Sequence, residues 1–223
     1  MARILVAIAQ VLVPPASRDR LRRRVIQLLL GLLLYGTSDS LLVLAHLGID
    51  PWDVFQQGLS VHTGIAIGTW AILVGLAVLL LWIPLRQHPG LGTVLNVVMI
   101  GGVMDLVLSY VTPPTSLSSR IVVLLAGVAL NGVATGCYIG AGLGPGPRDG
   151  IMVGLANRGL SLRRVRTVIE VTVLAIGWEL GGNVGWGTLL YALAIGPLAH
   201  VLIPLFTVKP LQTAPVTPSV SAD

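Results

Sequence analysis

Long apolar runs recur along the whole chain and set the strongest limit on its fold. Runs of about 19 to 24 residues are long enough for a helix to cross a hydrocarbon core about 30 Å thick. Hydrophobic residues make up 54% of the sequence and charged residues only 10%, against about 25% charged in soluble domains. We therefore predict an all-α membrane protein with six transmembrane helices, at about 25–47, 67–85, 90–110, 121–142, 165–181 and 188–206.

An internal repeat orders these helices. Segment 47–53 (LGIDPWD) recurs as 143–149 (LGPGPRD) at a shift of 96 residues, and segment 90–93 (GLGT) recurs as 185–188 (GWGT) at a shift of 95. Repetition at a nearly constant shift indicates duplicated structural units. With three crossings in each unit, the second must be inverted relative to the first, which is the plan of many secondary transporters.

Each repeat contains a break that cannot continue a helix, followed by a segment too short to cross a membrane, the first of them at about 54–62. We expect a short broken helix there, re-entrant or interfacial, and we expect the two breaks to face one another. The helix-breaking residues are Gly48, Pro51, Gly144, Gly146 and Pro147.

These features divide the chain into a first repeat (25–110), a linker (111–120) and a second repeat (121–207). Residues 1–24 are interpreted as an N-terminal extension with a basic cytoplasmic edge, and residues 208–223 as a disordered tail. The apolar run in 1–17 is short for a crossing, and a signal peptide is the alternative interpretation.

Arginines are concentrated in the segments that would share one side of the membrane, which predicts that both termini are cytoplasmic. The net charge of +5 is thereby explained by topology, and no nucleic-acid partner is expected. On this arrangement Asp50 and Asp53 fall outside, and the break containing Arg148 falls inside.

Acidic residues within the predicted helices are candidates for proton or ion coupling, because an ionisable group at membrane depth is costly unless it is paired or hydrated. The candidates are Asp39, Asp105 and Glu170, and a fourth acid, Glu179, lies near an outer helix end and is interpreted as an interface residue. Asp39 could instead form a hydrogen bond between helices, Asp105 could lie at the interface, and Glu170 could pair with Arg166 one helical turn earlier.

Residues at the breaks are candidates for substrate binding. They are Trp52, Asp53, Arg148 and Asp149, together with Asp39 and Asn96 in the apolar helices. A guanidinium beside a helix amino end suits a small anionic substrate or a lipid head group. The alternatives are a topology charge for Arg148, helix capping for Asp53 and Asp149, and helix packing for Asn96.

Known catalytic motifs, nucleotide-binding loops and Cys/His metal spacings are absent from the sequence, so we expect no enzymatic activity, no catalytic residues, no cofactor and no metal site. The single cysteine, Cys137, lies in an apolar run and is interpreted as a buried thiol.

The segments 47–54, 89–96, 142–150, 166–170 and 181–188 match in order and spacing a known family. In these segments the chain resembles the YczE-like family of bacterial membrane proteins, grouped with YitT-type proteins. The resemblance implies a multi-pass plasma-membrane protein and assigns no biochemical role.

Two functions fit the sequence. One is a small-molecule or ion transporter that uses the two broken helices. The other is an accessory or scaffold protein that docks a partner on a basic cytoplasmic face containing Arg158, Arg163 and Arg164. Besides the lipid bilayer, the sequence identifies no partner and no oligomeric state.

Overall fold

The computed structural model describes residues 19–209, so the predicted extension at 1–17 and most of the predicted tail lie outside the described residues. Within 19–209 the chain forms helices and no strands. The helices are α1 (Leu21–Ala45), α2 (Pro51–Thr63), α3 (Ile67–Leu80), α4 (Trp82–Leu85), α5 (Leu91–Tyr110), α6 (Leu117–Gly140), α7 (Pro147–Ala156), α8 (Leu162–Glu179) and α9 (Trp186–Phe206).

Five helical segments in this part of the chain are long and apolar enough to cross a membrane: α1, α3 continued by α4, α5, α6 and α9. The remaining predicted crossing, 165–181, corresponds to α8. This helix has 18 residues, but it carries three arginines and two glutamates. Its composition therefore sets it apart from the other five.

The two short helices begin at the predicted breaks, because proline occupies the first helical position of α2 and of α7. Proline is favoured there, because an N–H in the first turn has no partner within the helix, so proline, which lacks this group, loses no hydrogen bond. Asp50 caps α2 by accepting hydrogen bonds from the backbone N–H groups of Trp52 and Asp53. The expectation that Asp53 caps this helix is therefore wrong, because the residue directly before the proline holds that position.

Helices α1 and α6 pack side by side in opposite directions. Arg24, in the first turn of α1, donates a hydrogen bond of 2.9 Å to the carbonyl oxygen of Ala141, just after the end of α6. Further along, Asn131 of α6 donates to Asp39 of α1 at 2.9 Å. The order of these contacts shows that the two helices run antiparallel.

The halves also exchange matching backbone hydrogen bonds. The N–H of Gly92, at the start of α5, donates to the carbonyl of Leu143, and the N–H of Gly187, at the start of α9, donates to the carbonyl of Leu47, both at 2.7 Å. Leu143 follows Leu47 by 96 residues and Gly187 follows Gly92 by 95. Each half therefore holds the loop that precedes the short helix of the other half.

Close packing at two glycines also joins each short helix to the other half of the chain. Gly177 of α8 lies against the backbone of Val54 and Phe55 in α2, and Gly150 of α7 lies against the ring of Trp82 in α4. Because glycine has no Cβ, each short helix can approach its neighbour closely. Helix α2 is thereby fixed against the second half of the chain, and α7 against the first.

Candidate functional site

The amino ends of α2 and α7 meet beside a cavity of about 100 Å³. Helices α1, α3, α5, α6, α8 and α9 contribute the remaining walls. The polar residues that line the cavity near the two breaks are Tyr35, Asp50, Asn96, Tyr138, Arg148 and Asp149. Both breaks therefore contribute polar groups to one cavity.

Arg148 of the second break forms ion pairs with two carboxylates of the first. Its Nη2 lies 3.5 Å from Oδ1 of Asp53, and its Nη1 lies 3.7 Å from Oδ1 of Asp50. The guanidinium also lies over the ring of Trp52, 5.2 Å from the centroid, a cation–π geometry. The Arg148 side chain is 26% exposed, whereas that of Asp53 is 1% exposed. The arginine faces the cavity and the aspartate lies behind it.

This contact corrects the prediction that Asp50 and Asp53 lie on the opposite side of the membrane from Arg148. The charge pattern along the chain assigned each break to the side of its neighbouring loops. The breaks instead extend inward and meet, because each short helix starts inside the bundle. Trp52 and Arg148 occupy matching positions, 96 residues apart, so the stacked pair lies where the two halves meet.

Gln56 lies beside the ion pair between Asp53 and Arg148. With its amide oriented to satisfy both neighbours, its nitrogen donates to Asp53 at 3.0 Å and its oxygen accepts from Arg148 at 2.7 Å. The residue is fully buried. Gln56 thus bridges the ion pair and orients the Arg148 guanidinium.

Asp39 lies in a buried polar network between α1, α6 and α9. Its Oδ1 accepts a hydrogen bond from Asn131 at 2.9 Å, and Oδ1 of Asn131 accepts one from the Tyr191 hydroxyl at 3.1 Å. The alternative of a hydrogen bond between helices is therefore correct for this oxygen. The other oxygen of Asp39, Oδ2, is buried without a hydrogen-bond partner among the described residues.

Asp149 and Asn96 lie on the side of the cavity formed by α5, α6 and α7. Oδ2 of Asp149 accepts a hydrogen bond of 3.0 Å from the hydroxyl of Tyr138. The ring of Tyr138 meets that of Tyr35 edge to face, with centroids 5.8 Å apart. Asn96 and the break residues Pro51, Gly146 and Pro147 also line the cavity. The tyrosines thus anchor the start of α7 to the central helices.

Two of the predicted coupling residues have hydrogen-bond partners outside the group formed by Asp50, Asp53 and Arg148. Asp105 accepts hydrogen bonds from the N–H of Gly68 at 2.6 Å and from the hydroxyl of Thr69 at 2.8 Å, so it caps the start of α3. Glu170 accepts a hydrogen bond of 2.8 Å from Arg166, the helix-face pair that was the alternative interpretation. Both residues of that pair also line the cavity.

Sequence reasoning did not single out several residues of this site: Tyr35, Gln56, Asn131, Tyr138 and Tyr191. They share one signal, a hydrogen-bonding side chain within an otherwise apolar or short helix. Such groups are usually paired between helices in membrane proteins. The sequence does not show which of them meet, because their partners lie on other helices.

These features define an all-helical membrane protein in which two interrupted helices enclose a polar cavity. A family model described as "Family of unknown function (DUF6198)" matches residues 22–204. The chain belongs to this family. No solved structure matches the chain.

Bacterial relatives support the assignment. An uncharacterized protein of Haemophilus influenzae is 41% identical over 79% of this chain and 81% of its own length. The uncharacterized membrane protein YczE of Bacillus subtilis is 37% identical over 71% and 74%. The B. subtilis protein YyaS is 30% identical over 79% and 90%. The predicted resemblance to the YczE-like family is thereby confirmed.

Proposed function

We propose that this protein is a transporter of a small polar solute rather than an enzyme, and that the cavity between the starts of α2 and α7 is its binding site. In this proposal six helices cross the plasma membrane as two inverted repeats, and both termini are cytoplasmic. The proposal rests above all on one observation: polar groups from both breaks converge on the same cavity. Inverted-repeat transporters bind their substrates at such a meeting of interrupted helices.

The antiparallel contacts between α1 and α6 support the inversion of the repeats. So do the paired hydrogen bonds from Gly92 to Leu143 and from Gly187 to Leu47. Leu47 and Gly92 of the first half have Leu143 and Gly187 as their counterparts in the second. Because Gly92 binds Leu143 and Gly187 binds Leu47, one twofold rotation exchanges the two halves. A twofold axis in the membrane plane turns matching helices antiparallel, as α1 and α6 are.

The packing of α8 supports a sixth crossing. Gly177 contacts the backbone of α2 as Trp82 contacts α7, and Gly177 follows Trp82 by 95 residues. Helix α8 therefore takes the place in the second half that α3 and α4 take in the first. Its arginines lie in the first two turns, at the end expected to face the cytoplasm.

The charges of the site favour a cationic or neutral solute over the anion predicted from sequence. Arg148 alone would attract an anion, but it is paired with Asp50 and Asp53. Asp39 and Asp149 add further carboxyl groups nearby. Acidic groups thus outnumber the guanidinium, and an anion entering the cavity would be repelled.

A scaffold that docks a partner on its cytoplasmic face needs no hydrated cavity in its interior, whereas a transporter does. Cysteine accessibility distinguishes the two. On a Cys137→Ala background, Asn96→Cys and Met152→Cys introduce thiols at the cavity wall. Val98→Cys, on the same helix as Asn96 and 54% exposed on the outside of the bundle, is the matched lipid-facing control.

Each variant is treated with a charged, water-soluble thiol reagent in right-side-out and in inside-out vesicles. We expect the cavity thiols to be modified from at least one side. The control thiol stays unmodified, because a thiol in hydrocarbon does not ionise. Failure of both cavity positions to react from either side would refute the transport proposal.

A further inference from the structure

We infer that Asp39, Asp50 and Asp53 form a binding site for a hard metal cation of the size of Na⁺ or Ca²⁺, and that Arg148 is the internal counter-charge that this ion displaces. The inference rests on the proposed function and deepens it, because it assigns a chemical class to the ion that is carried or that drives transport. The sequence predicted no metal site.

The first observation is the geometry of the three carboxylates. Each can offer one oxygen such that the three oxygens lie within 4.8 Å of one another. The residues are 1%, 4% and 1% exposed, respectively. They come from two different elements, since Asp39 lies within α1 and the other two at the start of α2. Only the return of the chain after Gly48 brings them together.

The second observation concerns oxygens that lack partners. Oδ2 of Asp39 and Oδ2 of Asp53 are buried, and neither has a hydrogen-bond partner in residues 19–209. A buried carboxylate oxygen without a donor or a cation is strongly unfavourable. The cluster therefore contains two ligand atoms that nothing else in the described structure satisfies.

The charge balance points in the same direction. The three carboxylates lie beside a single guanidinium, which pairs with two of them, and the amides of Gln56 and Asn131, which also contact the cluster, carry no charge. An excess of buried negative charge is unfavourable, and a bound cation relieves it. Carboxylate oxygens are the preferred ligands of hard cations such as Ca²⁺.

The spacing of the three oxygens allows one ion to bind all of them. Oxygens on opposite sides of Ca²⁺ are at most about 4.6–5.2 Å apart, because its bonds measure about 2.3–2.6 Å. Bonds to Na⁺ have similar lengths. The three oxygens lie within 4.8 Å of one another, a separation that one such ion can span. Na⁺ and Ca²⁺ fit the cluster as it stands.

Arg148 lies on the cavity side of the cluster. Its ion pairs measure 3.5 and 3.7 Å, and its side chain is 26% exposed towards the cavity. A cation that binds Asp50 and Asp53 competes with the guanidinium for the same oxygens. Ion binding would release Arg148 from these carboxylates into the cavity.

The test measures ion binding directly and does not depend on transport. The purified full-length protein in lipid nanodiscs is titrated with radioactive Na⁺ or Ca²⁺, with choline chloride holding the ionic strength constant. We expect saturable binding of one of the two ions, which also identifies it. Asp39→Asn and Asp53→Asn should each weaken the binding by at least tenfold.

Asp105→Asn is the matched control, because it removes the same charge from a carboxylate that caps α3 outside the cluster. It should bind the ion like the wild type. Arg148→Gln should bind it more tightly, because the competing charge is gone. This gain keeps the inference falsifiable even if neither Asn variant folds.

Three results of the binding measurement would overturn the inference: no saturable binding of Na⁺ or Ca²⁺ to the wild type, unchanged affinity in both Asn variants, or unchanged or weaker affinity in Arg148→Gln. Protection against heat by low pH alone, with no effect of either ion, would assign the cluster to protons and also refute it. Ion binding without accessible cavity thiols would preserve the site and refute transport. Accessible thiols without ion binding would refute the ion site and leave the transport proposal standing.

Discussion

Removing Arg148 should destabilise the protein through the carboxylates that it leaves behind. The two ion pairs measure 3.5 and 3.7 Å. At an effective dielectric constant of about 20, Coulomb's law gives about 4–5 kcal/mol for each, and desolvation of the guanidinium offsets much of this. Truncating one partner of a buried pair typically costs about 3–5 kcal/mol. Since Arg148 is partly exposed, we expect Arg148→Ala to cost about 3 kcal/mol.

A protein of this size loses about 2–4 °C in Tm per kcal/mol, so the expected decrease is about 6–12 °C. Cys137 provides the assay, because it is the single cysteine of the chain and is buried. A thiol-reactive dye will label it only as the protein unfolds. The measurement is made in choline chloride with a chelator, so that no metal ion replaces the lost charge.

A second substitution tests the cause of the loss. Asp53→Asn on the Arg148→Ala background removes one of the two unpaired charges and should recover about half of the lost stability. Arg163→Ala, at an exposed position of α8, is the control and should change the Tm by less than about 2 °C. The reasoning fails if Arg148→Ala is as stable as the wild type, or if the second substitution lowers the Tm further.

Three further predictions use the same thermal assay. Arg24→Ala should cost about 3 kcal/mol, because the buried guanidinium donates to two backbone carbonyls at 2.9 and 3.0 Å, each worth about 1.5–3 kcal/mol; the exposed Arg22→Ala should be nearly neutral, and equal effects would contradict this. Gly177→Ala should destabilise strongly, since its Cβ would meet the backbone of α2, whereas Gly196→Ala points into open space; a stable Gly177→Ala would refute the close packing. Glu170→Gln should cost less than about 1 kcal/mol, because its ion pair is partly exposed and exposed ion pairs contribute little; a larger loss would contradict this.

The sequence predicted the helices and the positions of both breaks, because these depend on local properties. Apolar runs mark the long helices, and proline at the first helical position fixes the start of each short one. The charges of α8 obscure its apolar pattern, and this helix is not among the five in the described part of the chain that are apolar enough to cross a membrane. The Asp50 cap was also within reach of the sequence, because the residue directly before such a proline is the N-cap.

The cluster of Asp39, Asp50 and Asp53, and its pairing with Arg148, could not be predicted in the same way. The excess of positive charge on one side of the membrane is a rule for residues in loops, and it does not describe a segment that turns back inside the bundle. The role of Asp105 depends on a tertiary contact with the start of α3, 37 residues earlier in the chain. The sequence thus identified these charged residues without identifying their partners.

The account depends most on two short helices that start together inside the membrane and end on opposite faces of it. Val61, near the end of α2, and Asn157, just after α7, are exposed and occupy matching positions of the repeat, 96 residues apart. On the Cys137→Ala background, Val61→Cys should react with an impermeant thiol reagent only from outside the cell, and Asn157→Cys only from the cytoplasmic side. Labelling of both positions from the same side would contradict the inverted arrangement.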